Sequence, residues 1–229
     1  MFETLEARRL MTATVTFGDG VVATQSGSGS LVVKAATANP MNVNVIENGI
    51  SQTQGGVQIG LGNVLVQDLV TLQEYVFYNV KTTKPVVIQG GHGNETVNFD
   101  GTTVRSQITG GSGSDYIYIT DRGDNGGSTA DGGKGNDMIA VVFSHHATIS
   151  GGDGDDVLIV NSSCQYDCTV AEPLAGDLIV VNGGNGNDTI IVYDGNARVD
   201  GGSGIDNLLV DVSNGSNVSF KNVEAVNVM

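Results

Sequence analysis

The sequence predicts an all-β chain wound into a parallel β-solenoid, and three observations predict it. One unit is written six times between Gly90 and Asp206: two glycines, any residue, glycine, any residue, an acid, then two apolar residues spaced by two. Its copies start 20, 22, 19, 32 and 18 residues apart, a near-constant period that marks a stack of like coils. The apolar residues keep the period-2 spacing of a strand, and no helical pattern follows the glycines.

In chain order the sequence divides into residues 1–13, 14–84 and 85–229. Residues 1–13 lack the apolar stretch of about 7–15 residues that an ordinary signal peptide carries; they read as a disordered or short amphipathic start. Within them, Leu5-Glu6-Ala7-Arg8-Arg9-Leu10-Met11 resembles the Leu-Glu-Pro-Arg-x-Leu-Leu motif of large bacterial cell-surface proteins, with Ala for Pro and Met for the final Leu. That resemblance implies a sorting segment. Residues 14–84 form a β-rich segment without a complete copy. Val21–Ala23 and Leu31–Val33 flank SGSGS (Ser26–Ser30), and Val57–Ile59 and Val64–Val66 flank GLGN (Gly60–Asn63). Both turns place Leu31 or Val64 where the acid belongs. They read as hairpins, or as repeats that have lost their acid.

From residue 85 on, each copy is one expected coil. With the first glycine as position 1, position 8 holds Val97, Ile117, Ile139, Leu158, Ile190 and Leu208. Position 10 holds Phe99, Ile119, Val141, Val160, Val192 and Val210. Two residues before each glycine pair stand Ile88, Ile108, Ala130, Ile149, Val181 and Val199. Stacked coil on coil, these sets become ladders pointing into a narrow core. Plain turns such as Asp100-Gly101, Arg122-Gly123 and Asp194-Gly195 would line the other edge. The 32-residue step holds an insertion within 161–176. Val218, Phe220, Val223, Val226 and Val228 read as an irregular last coil that caps the stack.

The copies GGHGNETVNF, GGSGSDYIYI, GGKGNDMIAV, GGDGDDVLIV, GGNGNDTIIV and GGSGIDNLLV resemble the repeats-in-toxin (RTX), or hemolysin-type, calcium-binding repeats. The resemblance implies a right-handed parallel β-roll, with one flattened coil per copy and all six glycine turns along one edge. Calcium is a hard cation that takes 6–8 oxygen ligands. The position-6 acids Glu95, Asp115, Asp137, Asp156, Asp188 and Asp206 supply charge. Glycine at positions 1, 2 and 4 is expected to enter positive φ and turn carbonyls inward. This makes Gly91, Gly93, Gly111, Gly113, Gly133, Gly135, Gly152, Gly154, Gly184, Gly186, Gly202 and Gly204 candidate metal-site residues beside the acids. One turn supplies half a shell and the next closes it, so six turns offer up to about five Ca2+ ions. Glu95, with its longer arm, and the Asp156–Asp188 step across the insertion are the irregular members.

Composition narrows the function. Twenty-five acids against ten basic residues give a net charge of −15, which opposes nucleic acid and anionic membrane surfaces. No apolar run reaches the roughly 20 residues of a membrane helix. The sequence therefore reads as a non-enzymatic, calcium-stabilised structural or adhesive module, extracellular or at the cell surface. Its partners are calcium ions and a surface glycan or protein. The alternative is a carbohydrate-active enzyme or accessory glycan-binding module, with Tyr116, Tyr118 or Tyr193 stacking on sugars.

Positions 7 and 9 should face outward, yet carry Tyr116, Tyr118, Met138, Ala140, Val157, Ile159, Ile191 and Leu209. Such a stripe needs cover, either from residues 14–84 lying over it or from a partner or second copy. Cys164 and Cys168, inside the insertion, are read as a disulfide in an exported chain or as free thiols. Register offers a zinc site with His145 and His146 as a further reading. His92 reads as a solvated turn residue.

Overall fold

The computed structural model describes residues 12–37, 39–47, 62–122, 127–144, 146–161, 178–211 and 217–229, with the backbone of two short strands at 52–54 and 57–59. The N-terminal motif, His145, Cys164, Cys168 and residues 162–177 lie outside the described residues, and with them the disulfide and zinc readings. No helix is present among the described residues.

The first eight strands are β1 (Ala13–Thr16), β2 (Val21–Gln25), β3 (Leu31–Ala35), β4 (Asn42–Ile46), β5 (Gln52–Gln54), β6 (Val57–Ile59), β7 (Val64–Asp68) and β8 (Glu74–Phe77). The repeats supply β9 (Val86–Gln89), β10 (Thr96–Gly101), β11 (Ser106–Ser112), β12 (Tyr116–Asp121), β13 (Ser128–Lys134), β14 (Met138–Val142), β15 (His146–Asp153) and β16 (Val157–Asn161). Beyond the insertion come β17 (Leu178–Asn185), β18 (Thr189–Asp194), β19 (Ala197–Ser203), β20 (Asn207–Val210), β21 (Val218–Lys221) and β22 (Ala225–Val228). Odd-numbered strands from β9 to β21 stack in one sheet, and even-numbered strands from β10 to β22 in the other. Successive coils pair in parallel and in register, as in Ile117↔Ile139 and Ile139↔Leu158. This is the β-roll the repeats imply.

The inward ladders sit where the spacing places them. Ile88, Val97, Ile117, Ile139, Ile149, Leu158, Ile190 and Val192 are fully buried in one continuous core. Burying each such side chain stabilises the roll by roughly 1.5–3 kcal/mol.

The described residues of 14–84 do not lie over the outward stripe. They extend the roll end-on. β3 pairs with β9 and β4 with β10, both in parallel, so residues 31–47 make a leading coil. In it Val33, Val43 and Val45 continue the three ladders, and the fully buried Met41 stands where later coils carry the acid. Antiparallel strands then close that end. β2 and β1 finish the first sheet, while β7 and β8 finish the second. Phe17 and Phe77 fill the end of the core. SGSGS is a hairpin turn, with Ser26 N–H donating to Ser30 O at 2.9 Å and Gly29 at φ +82°. The strands flanking GLGN take other partners: β6 pairs with β5, and β7 with β4 and β8. Alternation fixes which face a strand buries, not which strand it pairs with.

The plain edge also differs from expectation at Asp100 and Gly101, which end β10 inside the sheet. The turn that follows is held by Glu47, which is fully buried at the end of the leading coil. Its carboxylate accepts N–H bonds from Gly62 (3.0 Å), Thr102 (2.9 Å), Thr103 (2.7 Å) and Val104 (3.2 Å).

The last coil is regular and does not seal its end. β21 pairs in register with β19, and β22 with β20. Val218 and Val223 pack partly against the core. Phe220, Val226 and Val228, at core-ladder positions of this coil, are 50%, 39% and 66% exposed.

Candidate metal centre

The six position-6 acids line up along one edge, each at most 3% exposed. The first oxygen of each aspartate binds the coil before it. Asp115 Oδ1 accepts the Glu95 N–H at 2.8 Å, Asp137 Oδ1 that of Asp115 at 2.7 Å, and Asp156 Oδ1 that of Asp137 at 2.8 Å. Asp188 and Asp206 continue the ladder to Asp156 and Asp188, both at 2.9 Å. Thus the insertion leaves the Asp156–Asp188 step intact.

The second oxygen of each acid is buried without any hydrogen-bond partner: Glu95 Oε2 and the Oδ2 atoms of Asp115, Asp137, Asp156, Asp188 and Asp206. A buried carboxylate oxygen stripped of water needs a proton or a cation. Burial first, then the neighbouring Glu95 carboxylate, pushes Asp115 up to about 7. Burial likewise raises Asp137 to about 6 and Asp156 to about 7, with nearby carboxylates adding to it, and Asp188 moves in the same direction. A row of orphaned oxygens among backbone carbonyls is the donor set a hard divalent cation takes. The residues present fit Ca2+.

The orphaned oxygen of each aspartate hangs over the first glycine of its own turn. A methyl group at Gly132 would lie 2.2 Å from Asp137 Oδ2, and one at Gly151 would lie 2.1 Å from Asp156 Oδ2. The first glycine is therefore required by close approach, not by positive φ as expected from the sequence. Positive φ belongs to positions 2 and 4 of five turns, from +106° at Gly133 to +142° at Gly204. Gly91 and Gly93 of the first turn do not share it. There Glu95 uses its longer arm to reach back, Oε1 accepting the N–H of Gly91 at 2.9 Å and of Gly93 at 3.3 Å.

Sequence reading missed two parts of this edge. Glu224 takes the acid's place in the last coil, its Oε2 accepting the Asp206 N–H at 2.7 Å. Its turn is shortened through Asn222 at φ +50° and carries no glycine, so no repeat spacing marked it. The second is an outer ladder at position 5. Asn94 Oδ1 accepts the Ser114 N–H (2.9 Å), Asn136 Oδ1 that of Asp155 (3.1 Å), Asp155 Oδ1 that of Asn187 (2.7 Å), and Asn187 Oδ1 that of Ile205 (2.9 Å). The run Asn94, Ser114, Asn136, Asp155, Asn187 was its available signal. His92 lies on the exposed rim, Nδ1 3.0 Å from Ser112 Oγ.

The tyrosines stand apart from this edge. Tyr116 and Tyr118 face outward from β12, and Tyr193 is exposed near the end of β18.

Comparison with known proteins agrees with the geometry. Residues 105–118, 148–162 and 180–208 match the family model of the RTX calcium-binding nonapeptide repeat, in four copies. No curated protein and no solved structure matches the chain. The turns at Gly90 and Gly132 fall outside the matched stretches, yet they stack in the same row. RTX repeats bind Ca2+, and the matched stretches, with their stacked, acid-lined turns, carry that calcium-binding nonapeptide repeat.

Proposed function

We propose that the chain is a non-enzymatic structural or adhesive module, displayed outside the cell, whose folding is conditional on calcium. The observation that carries this reading is the row of six buried carboxylate oxygens without partners. Glu95, Asp115, Asp137, Asp156, Asp188 and Asp206 would hold the ions together with carbonyls of the glycine turns, up to about five ions between six turns. Calcium then cross-links successive coils and offsets part of the −15 charge. Assembling the site and folding become one event. Extracellular modules of this kind respond to about 10⁻⁴–10⁻³ M calcium, which suits a chain that stays unfolded in the calcium-poor cell and compacts outside.

The test is a calcium titration followed by far-UV circular dichroism and calorimetry. Strand signal should rise with calcium, with several ions bound per chain. Equal strand content in the presence of excess chelator would overturn the coupling.

A glycan-binding surface is the second reading, favoured by the outward Tyr116 and Tyr193. Glycan-array binding that vanishes with Tyr116→Ala would support it.

A further inference from the structure

The row of aspartates has a direction. Each Oδ1 reaches back to the coil before it, and the first glycines show where each Oδ2 is left. A methyl group at Gly132 would meet Asp137 Oδ2 at 2.2 Å and the carbonyl oxygen of Gly151, one coil on, at 2.6 Å. One at Gly151 would meet Asp156 Oδ2 at 2.1 Å and Gly183 O at 2.6 Å. Each orphaned oxygen therefore shares its space with a carbonyl of the following coil, and needs that coil to complete a ligand shell.

Asp206 keeps this arrangement although the turn beyond it carries no glycine. It is fully buried, its Oδ2 has no partner, and a methyl group at Gly201 would meet that oxygen at 2.6 Å and Asn222 O at 1.9 Å. Extending the β19–β21 and β20–β22 registers by one residue sets Asn222 opposite Gly201 and Glu224 opposite Asp206. Glu224 follows Asn222 by two residues, whereas Asp206 follows Gly201 by five. Asn222 makes this shorter turn at φ +50°, a left-handed conformation that asparagine accepts more readily than most residues. Its carbonyl thus stands where the repeats place a glycine carbonyl. Glu224 Oε2 accepts the Asp206 N–H at 2.7 Å, which brings a second carboxylate to the step. Lys221 of the same coil is turned to Asp200 instead, at 2.6 Å.

We propose that Asp206, the Asn222 carbonyl and Glu224 form a further Ca2+ site, closed by a coil that is not a repeat. The matched repeat stretches end at residue 208, so half of the site comes from outside them. Two carboxylates and a carbonyl are the hard oxygen donors calcium takes, and a buried, partnerless carboxylate oxygen is costly without such a charge beside it. The row then holds one ion for each of its six acids, about six in place of about five. The other end has no counterpart, because Met41 stands in the acid's place there. An ion at Asp206 also ties β21 and β22 to the roll, so that docking of this coil depends on calcium.

The inference rests on the calcium reading of the row, and counting ions separates the two. Metal analysis of the full chain after equilibrium dialysis at about 10⁻³ M calcium should find one ion fewer in Glu224→Gln than in the parent. The amide keeps an acceptor for the Asp206 N–H and removes only the charge, so strand content by circular dichroism should stay unchanged. Asn222→Gly retains both the carbonyl and the left-handed turn and should hold the parental number. Glu74→Gln, an exposed acid on β8, should hold it too. Equal counts in the parent and Glu224→Gln would overturn the inference and leave the repeat sites standing. An ion lost equally to Glu74→Gln would also overturn it, as an effect of net charge alone. A parent that binds no calcium would overturn both the inference and the reading beneath it.

Discussion

Asp137 Oδ1 accepts the backbone N–H of Asp115, one coil earlier, at 2.7 Å. The other oxygen of the same carboxylate is buried with no partner. One half of the side chain thus ties the coils together, and the other half waits for a cation. Each later acid repeats that division of labour.

Removing two adjacent acids tests it most directly. Asp137→Ala with Asp156→Ala takes carboxylates from neighbouring turns and breaks two ladder bonds. The calcium needed for half-maximal strand signal should rise by about tenfold or more, the scale that lost ligand-shell groups produce. A double variant that folds at the parental calcium concentration would refute the assignment.

The pH dependence without calcium has a definite sign. Asp115 and Asp156 are raised to about 7 and Asp137 to about 6, against an ordinary value near 4. A raised folded-state value means the protonated form is favoured in the roll. That stabilisation is complete below about pH 4 and is lost as pH rises through 6 to 7. Calcium-stripped protein should hold more strand at pH 5 than at pH 8. With calcium present the order reverses, because protons compete with the ion. Circular dichroism of dialysed samples at both values checks the crossing.

Gly132→Ala places a methyl 2.2 Å from Asp137 Oδ2 and 2.6 Å from Gly151 O. Both neighbours are fixed by the ladder, so the turn must deform. The expected result is weaker calcium binding, by about tenfold, and fewer ions bound per chain. Calorimetry would show the lost site.

Glu47 predicts a defect independent of calcium. Burial raises its carboxyl, but hydrogen bonds from Gly62, Thr103 and Thr102 outweigh burial and hold it below the usual range. A lowered value gives stability that is present above about pH 4.3 and lost as pH falls through the folded-state value. Glu47→Ala leaves four N–H groups without their acceptor and should cost roughly 2–4 kcal/mol. Melting in saturating calcium should fall accordingly, with ion stoichiometry unchanged.

The repeat body was legible because its glycines and acids recur at fixed spacing while Ile117, Ile139 and Leu158 keep the strand period. The leading coil was not, although Val33, Val43 and Val45 carry the same ladders. Its turn, Ala36 to Met41, has neither glycine nor acid, the two marks that set the repeats apart. The end-on placement of residues 14–84 was also hidden, since periodicity reports faces and is silent on strand order. Ala140 shows the limit at single positions. It points outward yet is 7% exposed, covered by its neighbours in the sheet, Tyr118 and Ile159.

The antiparallel hairpins at the start of the chain pair residues close in sequence, as β2 does with β3 and β7 with β8. Such local contacts form early, whereas each added parallel coil must find a finished one to lie on. We therefore expect growth of the roll to start at that end. Trimming from the last coil backward should shorten a still-ordered rod, while deleting residues 13–47 should leave the remaining repeats with nothing to wind upon.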